Sequence, residues 1–315
     1  MNEREFVEFI IQKTGIKKGN LIRKDIILHS ILRELYSNEY FSTNYLFKGG
    51  TCLIKCYLGY YRFSVDLDFT SRDPQTWMEL SRRSRERELK AEAIKLAGLI
   101  EGIASKRGLE FKADLRDRNY VEFGGGSRMI TFKLYYPEGV MREMIKIQVN
   151  LVERLLFEPK NVNAKSLLSG VQLSDEEKAY FSEFLEDYSD VPVSVYDLRE
   201  ILTEKVRALL TRKKVKFRDI YDLYYLEKEA GLRIEDYIGE ITQKLLFALK
   251  FERYSINFQK VMESISFLEA TATEEELFLL NVPFNAEDFK KFLKKLSKQI
   301  NAIGSEICEI KSVEN

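Results

Sequence analysis

The segment Arg62-Phe63-Ser64-Val65-Asp66-Leu67-Asp68-Phe69 constrains the fold more than any other stretch of the chain. Apolar and polar residues alternate through it. The pattern predicts a β-strand over 63–69 with Phe63, Val65, Leu67 and Phe69 on a buried face and Arg62, Ser64, Asp66 and Asp68 on the other. Two carboxylates on one side of a strand stand about 6–7 Å apart at the backbone, so their oxygens can converge on a shared divalent cation. Left alone they repel; Mg²⁺ relieves the repulsion and takes one or two carboxylates plus substrate phosphate oxygens. A bare Asp-x-Asp is more often an incidental pair on a solvated face, so its meaning depends on what flanks it.

Just upstream, 45–47 reads as a short strand, Lys48-Gly49-Gly50-Thr51 as a turn, and CLIKCYLGYY as a helix. Missing side chains at Gly49 and Gly50 let backbone N–H groups approach a phosphate, and the helix start adds positive potential. A Gly-Gly alone is usually a plain turn. With the aspartates it describes a site that takes a triphosphate on backbone amides and its metal on Asp66 and Asp68.

Elsewhere, apolar spacing predicts two helices over 3–40, a long charged helix over 79–106, and strands near 109–114, 119–123, 128–136 and 144–152, with Gly124-Gly125-Gly126 as a turn. From about Ser174 the pattern is helical throughout, and the last dozen residues read as a frayed tail. The expected division is an α/β domain over 1–165, with two N-terminal helices, and a helical domain over 166–315.

With 50 basic and 50 acidic residues the net charge vanishes, so a polyanionic partner requires a local basic patch. The densest is Arg212, Lys213, Lys214, Lys216 and Arg218. No segment has the apolar length of a membrane span, and the acidic, amphipathic start MNEREFVEFIIQ is unlike a secretory signal, so a cytoplasmic protein is expected. Three cysteines without ligand spacing and a single histidine, His29, argue against a Cys/His zinc site and against His-based nucleophilic catalysis. Cys52, Cys56 and Cys308 read as reduced and structural.

The segments Phe47-Lys48-Gly49-Gly50-Thr51 and 62–69, with Glu204-Lys205-Val206-Arg207-Ala208-Leu209 and Arg218-Asp219-Ile220-Tyr221-Asp222-Leu223, resemble the AbiEii/AbiGii toxin family within the DNA-polymerase-β-like nucleotidyltransferases. The resemblance covers about residues 20–230. It implies an α+β fold, a polymerase-β-like mixed sheet flanked by helices and followed by a helical C-terminal region. It implies catalytic roles for Asp66, Asp68, Lys205 and Asp219, with the metal on Asp66 and Asp68. Nucleotide contact is implied at Lys48, Gly49, Gly50, Thr51, Arg62, Ser64 and Arg207. The activity implied is Mg²⁺-dependent transfer of NMP from a nucleoside triphosphate to a hydroxyl of RNA, tRNA foremost, with one or two ions and Mn²⁺ as a substitute. The biological setting implied is a toxin–antitoxin or phage-defence pair, with an antitoxin that is also a transcriptional repressor.

Many enzymes of this superfamily carry a third carboxylate on a later strand. Here 144–152 presents Lys146, Gln148 and Asn150 on its polar face, leaving Glu153 or Asp114 as substitutes. Two rivals remain at this stage. A nucleotide-sugar glycosyltransferase also uses Asp-x-Asp, and a degenerate nucleotide-binding module fits the missing acid.

Overall fold

The computed structural model describes residues 2–126, 128–264, 272–283 and 285–314. The chain divides into two compact units, Met1–Glu153 with Pro159–Tyr196, and Arg154–Glu158 with Asp197–Asn315. The break thus falls at Tyr196–Asp197 rather than at 165/166.

The first unit opens with α1 (Glu3–Thr14), started by a reciprocal cap between Asn2 and Glu5 and stopped by Gly15 at φ 72°. Its apolar face, Phe6 and Phe9, stacks on Phe184 and Phe181 at 4.9 and 4.4 Å between ring centres. Next come α2 (Gly19–Ser37), α3 (Glu39–Asn44), β1 (Tyr45–Lys48), and α4 (Gly49–Leu53), which continues as a π-helical turn over Ile54–Leu58. Then follow β2 (Asp66–Ser71), α5 (Pro74–Glu79), α6 (Arg82–Lys106), β3 (Val121–Gly124), β4 (Met129–Glu138), β5 (Met141–Asn150), β6 (Lys160–Ala164), α7 (Asp175–Tyr180), α8 (Ser182–Asp187) and β7 (Val191–Val195).

The strands form one mixed sheet in the order β3-β4-β5-β2-β1-β7-β6. The β2/β5 and β1/β7 pairs are parallel and the rest antiparallel. Central β1 is buried along its whole length.

Several sequence expectations shift. The aspartate strand begins at Asp66, not at 63, because Arg62 is drawn inward: its guanidinium is buried and donates to the Phe63 carbonyl at 2.8 Å. Of 109–114 only Glu110 pairs, bridging Tyr135. The stretch after Ser174 is not helical throughout, since β7 interrupts it and joins β1 and β6. Pro192 is tolerated there because its register partner is Asn163 of edge strand β6, while β1 meets β7 only at Val195.

The single histidine lies fully buried in α2. His29 Nε2 donates to the Ser189 carbonyl at 2.8 Å, and Nδ1 faces Lys55 Nζ at 3.3 Å, which selects the neutral ring. Lys55 pairs in turn with buried Asp25 at 2.8 Å. Burial, then the Lys55 charge, pushes the His29 pKa down to about 3. An unfolded chain protonates His29 near its ordinary pKa, so this contribution to stability is complete above about pH 6.5 and is lost as pH falls toward 3. Urea midpoints are therefore expected to drop between about pH 7 and pH 5 in the wild type and to be flatter in His29→Gln. Equal slopes would contradict the buried neutral ring.

The second unit is helical: α9 (Leu198–Thr211), α10 (Phe217–Ala230), a 3₁₀ turn (Ile234–Tyr237), α11 (Ile238–Leu249), α12 (Glu252–Ser264), α13 (Glu274–Leu279) and α14 (Ala286–Glu314). The expected frayed tail is instead the end of α14. At Gly304 of α14 the end of the Met262 side chain of α12 fills the space of a Cβ, which would stand 2.6 Å from Met262 Cε. No helix of the described residues is long and apolar enough to cross a membrane.

Candidate active site

In the first unit the site is built where β1 turns into α4. Lys48, the buried last residue of β1, holds its ammonium 5.3 Å from the centre of the Tyr196 ring. Gly49 follows at φ 78°, a conformation that favours glycine, and lies against the Asp68 side chain: an added Cβ would come within 3.0 Å of Asp68 Cβ and Cγ and closer still to Oδ2. Gly50 is not left-handed. Its constraint is Arg62, whose Nη2 would stand 2.5 Å from an added Cβ, with Ser64 Oγ at 3.4 Å. The Thr51 hydroxyl donates to the Asp66 backbone carbonyl and shares a 2.8 Å hydrogen bond with Ser64. The two glycines, Thr51, Arg62, Ser64, Asp66 and Asp68 are thus one cluster, although Arg62 and Ser64 precede the strand.

Gly49→Ala imposes both a left-handed alanine and a collision with Asp68, so it is expected to cost about 1–3 kcal/mol and to turn the Asp68 carboxylate away from Asp66. Urea denaturation measures the first effect; wild-type stability in the variant would contradict the close approach.

Along β2, Leu67 and Phe69 are buried while Asp66 and Asp68 are partly exposed. Asp68 lies between Lys48 of β1 and Gln148 of β5, and Asp66 lies beside Lys146 of β5. Neither flanking strand places an acid beside the aspartates; the next acid in the row of Asp68 is Glu122 of β3, three strands away and paired with Lys133 at 2.8 Å. Glu153 is buried and accepts from Asn150 Nδ2 at 3.3 Å, and Asp114 is exposed and caps a turn through Arg116 N at 2.9 Å. Among the described residues no group of three or more His, Cys, Asp or Glu could hold a metal ion. Two hard oxygen donors on one strand face nonetheless fit Mg²⁺ in the mode that completes its shell with substrate phosphate and water.

The second unit holds the remaining predicted residues. Asp197 caps α9, accepting from Arg199 N at 2.9 Å. Lys205 of α9 reaches across to α10, 2.5 Å from Asp222 and 3.2 Å from Asp219. Arg212 also bonds Asp219. Burial pushes the Asp219 carboxyl up, but the Lys205 and Arg212 charges outweigh it and hold the group below the ordinary carboxylate range. Arg207 lies elsewhere, about 200° round α9 from Lys205, with its guanidinium 5.6 Å from the Tyr254 ring centre and 3.7 Å from Glu204.

Sequence reasoning left two members of this cluster without a role. Asp222 is fully buried, and its spacing of three from Asp219, one helical turn, was the available signal. Arg212 was read only as part of a basic run.

The family described as "Nucleotidyl transferase AbiEii toxin, Type IV TA system" matches residues 30–306. No curated protein matches the sequence. Among solved structures, JHP933 from Helicobacter pylori aligns at 14% identity and a TM-score of 0.42, covering 94% of this chain and 98% of that one. A second H. pylori crystal structure aligns at 15% identity and 0.41, with 92% and 97% covered. With the family match spanning most of its length, the chain belongs to the AbiEii family of nucleotidyltransferase toxins of type IV toxin–antitoxin systems.

Proposed function

We propose that this nucleotidyltransferase moves a nucleoside monophosphate from a nucleoside triphosphate to a hydroxyl of RNA, tRNA foremost, with Mg²⁺ held by Asp66 and Asp68. The observation that carries this reading is the packing of Gly49 against Asp68, which sets a side-chain-free backbone turn directly beside the two-carboxylate face. When bound, one or two Mg²⁺ ions neutralise charge on the attacking and leaving oxygens. The chain supplies the rest. Backbone amides at Gly49 and Gly50 take phosphate oxygens, and the Thr51 and Ser64 hydroxyls hold β2 to the glycine turn. The acceptor oxygen bonds to the α-phosphorus, the bond from that phosphorus to the β-phosphate oxygen breaks, and pyrophosphate leaves. With two acids committed to the cation and no third beside them, the acceptor proton passes to water. Lys205, poised by Asp219 and Asp222, neutralises phosphate charge. An antitoxin partner follows from the family; that it is also a transcriptional repressor, and that the toxin acts in the cytoplasm on tRNA, belong to this proposal.

The test is incubation with each labelled triphosphate, Mg²⁺ and fractionated cellular RNA. Label on RNA supports the proposal. Binding without transfer selects a catalytically silent module, which the absent third acid would favour, and transfer only from a nucleotide sugar selects a glycosyltransferase. Lys213 and Lys214 are exposed in the loop between α9 and α10, whereas Arg212 is engaged by Asp219. Lys213→Ala/Lys214→Ala is expected to raise KM for RNA far more than KM for nucleotide, and to reduce the salt slope of RNA binding by about two. An unchanged slope would place RNA on another surface.

A further inference from the structure

Across the polar face of the sheet, β5 answers the two aspartates of β2 with a cation and an amide: Lys146 beside Asp66 and Gln148 beside Asp68. Gln148 is turned toward β4, its Nε2 donating to Thr131 at 3.3 Å. Lys146 is partly buried and faces a second lysine, Lys133, across the antiparallel β4/β5 pair. Like charges directly opposite one another destabilise a sheet unless something relieves them. Lys133 is relieved, since its ammonium sits 2.8 Å from Glu122 and donates to the Arg118 carbonyl at 3.0 Å. Lys146 makes no ion pair or hydrogen bond with any described residue, and Glu122, whose charge it feels, is already held by Lys133. The Asp66 carboxylate likewise has no side-chain partner among the described residues.

Two opposite charges therefore stand on neighbouring strands, about 5 Å apart at the backbone, without pairing with each other. An incoming group that carries both a cation and an anion satisfies both at once, and a metal-chelated phosphate is such a group. We propose that Lys146 is a phosphate-binding residue that receives an anionic oxygen of the substrate beside the metal on Asp66. The inference rests on the proposed nucleotidyl transfer at this site and adds the residue that takes the charge of the reacting phosphate. Two sources carry that chemistry, the triphosphate itself and the backbone phosphate of the RNA acceptor.

The test is calorimetric titration of full-length protein with the α,β-methylene analogues of the four nucleoside triphosphates in Mn²⁺, together with filter binding of RNA. In Lys146→Ala and the stem-preserving Lys146→Met, folding being checked by melting, affinity for the analogue is expected to fall at least about tenfold, with Lys146→Arg recovering most of it. Lys146→Glu adds an acid beside the aspartates, so it should bind Mn²⁺ more tightly than wild type without nucleotide while losing the analogue. A fall in RNA affinity with analogue affinity unchanged supports the phosphate role and identifies the RNA backbone as its source. Unchanged affinity for both ligands in folded Lys146→Ala overturns the inference alone. A wild-type protein that binds neither overturns the proposed function and the inference with it.

Discussion

Asp66→Asn/Asp68→Asn is expected to lower nucleotidyl transfer by at least about a thousandfold, on the order of 4 kcal/mol in the barrier, while leaving the fold intact. The asparagines keep shape and hydrogen bonding but remove the charges that hold a divalent cation, and no neighbouring acid can replace them. Stability should not suffer. The two side chains are partly exposed, Asp66 has no side-chain partner to lose, an asparagine at 68 keeps the hydrogen-bonding capacity with which Asp68 meets its neighbours, and removal of two like charges from one strand face relieves repulsion. Melting without metal or nucleotide should stay close to wild type. Equal transfer by variant and wild type would remove the metal from β2.

The largest effect on stability is expected from Glu200→Ala. Glu200 and Lys244 are both fully buried in the second unit, with Glu200 Oε1 2.5 Å from the ammonium. The other carboxylate oxygen accepts from Leu156 N at 2.8 Å and Phe157 N at 2.9 Å, tying the strap Arg154–Glu158 to α9. Truncation takes the Glu200 charge away from the buried Lys244 ammonium and deprives two backbone N–H groups of their acceptor, which should cost about 3–5 kcal/mol. Replacing both partners together, Glu200→Met/Lys244→Met, should recover a large part of that loss because no uncompensated charge stays buried. Urea denaturation distinguishes the two. If the single and double variants were equally unstable, the loss would come from packing and not from the ion pair. The consequence for function is indirect: α9 also carries Lys205, so a loosened α9 should weaken its grip on Asp219 and Asp222.

The residues that were legible in the sequence are those whose pattern is local. The Leu67/Phe69 against Asp66/Asp68 alternation, the Gly49-Gly50 turn and the Lys205 and Asp219 helices can each be read within a few residues. What escaped depends on distant partners. Arg62 looked like a member of the strand's polar face because alternation says nothing of a guanidinium folding back to its neighbour's carbonyl and against Gly50. The strand Val191–Val195 alternates as a strand should, but it is short, carries Pro192 and stands between helical segments, and its position beside β1 and β6 explains why it forms. The division of the chain was misplaced for the same reason, since β6, α7, α8 and β7 all return to the first unit. Lys146 was visible as the absence of an acid; its lack of a partner could be seen only once β4 and β5 were paired in register.

Transfer of the nucleotidyl group leaves the α-phosphorus on the acceptor and carries the γ-phosphorus away in pyrophosphate, so the fate of each label reports the reaction. Wild-type protein is incubated with Mg²⁺, cellular RNA and the accepted triphosphate labelled either at the α- or at the γ-phosphorus. With wild-type protein, α-label is expected to become RNA-bound with release of an equal amount of pyrophosphate and γ-label to be released only in pyrophosphate, whereas Asp66→Asn/Asp68→Asn is expected to show neither. Appearance of γ-label on the acceptor, or RNA-bound α-label undiminished in the double variant, would contradict nucleotidyl transfer at Asp66 and Asp68.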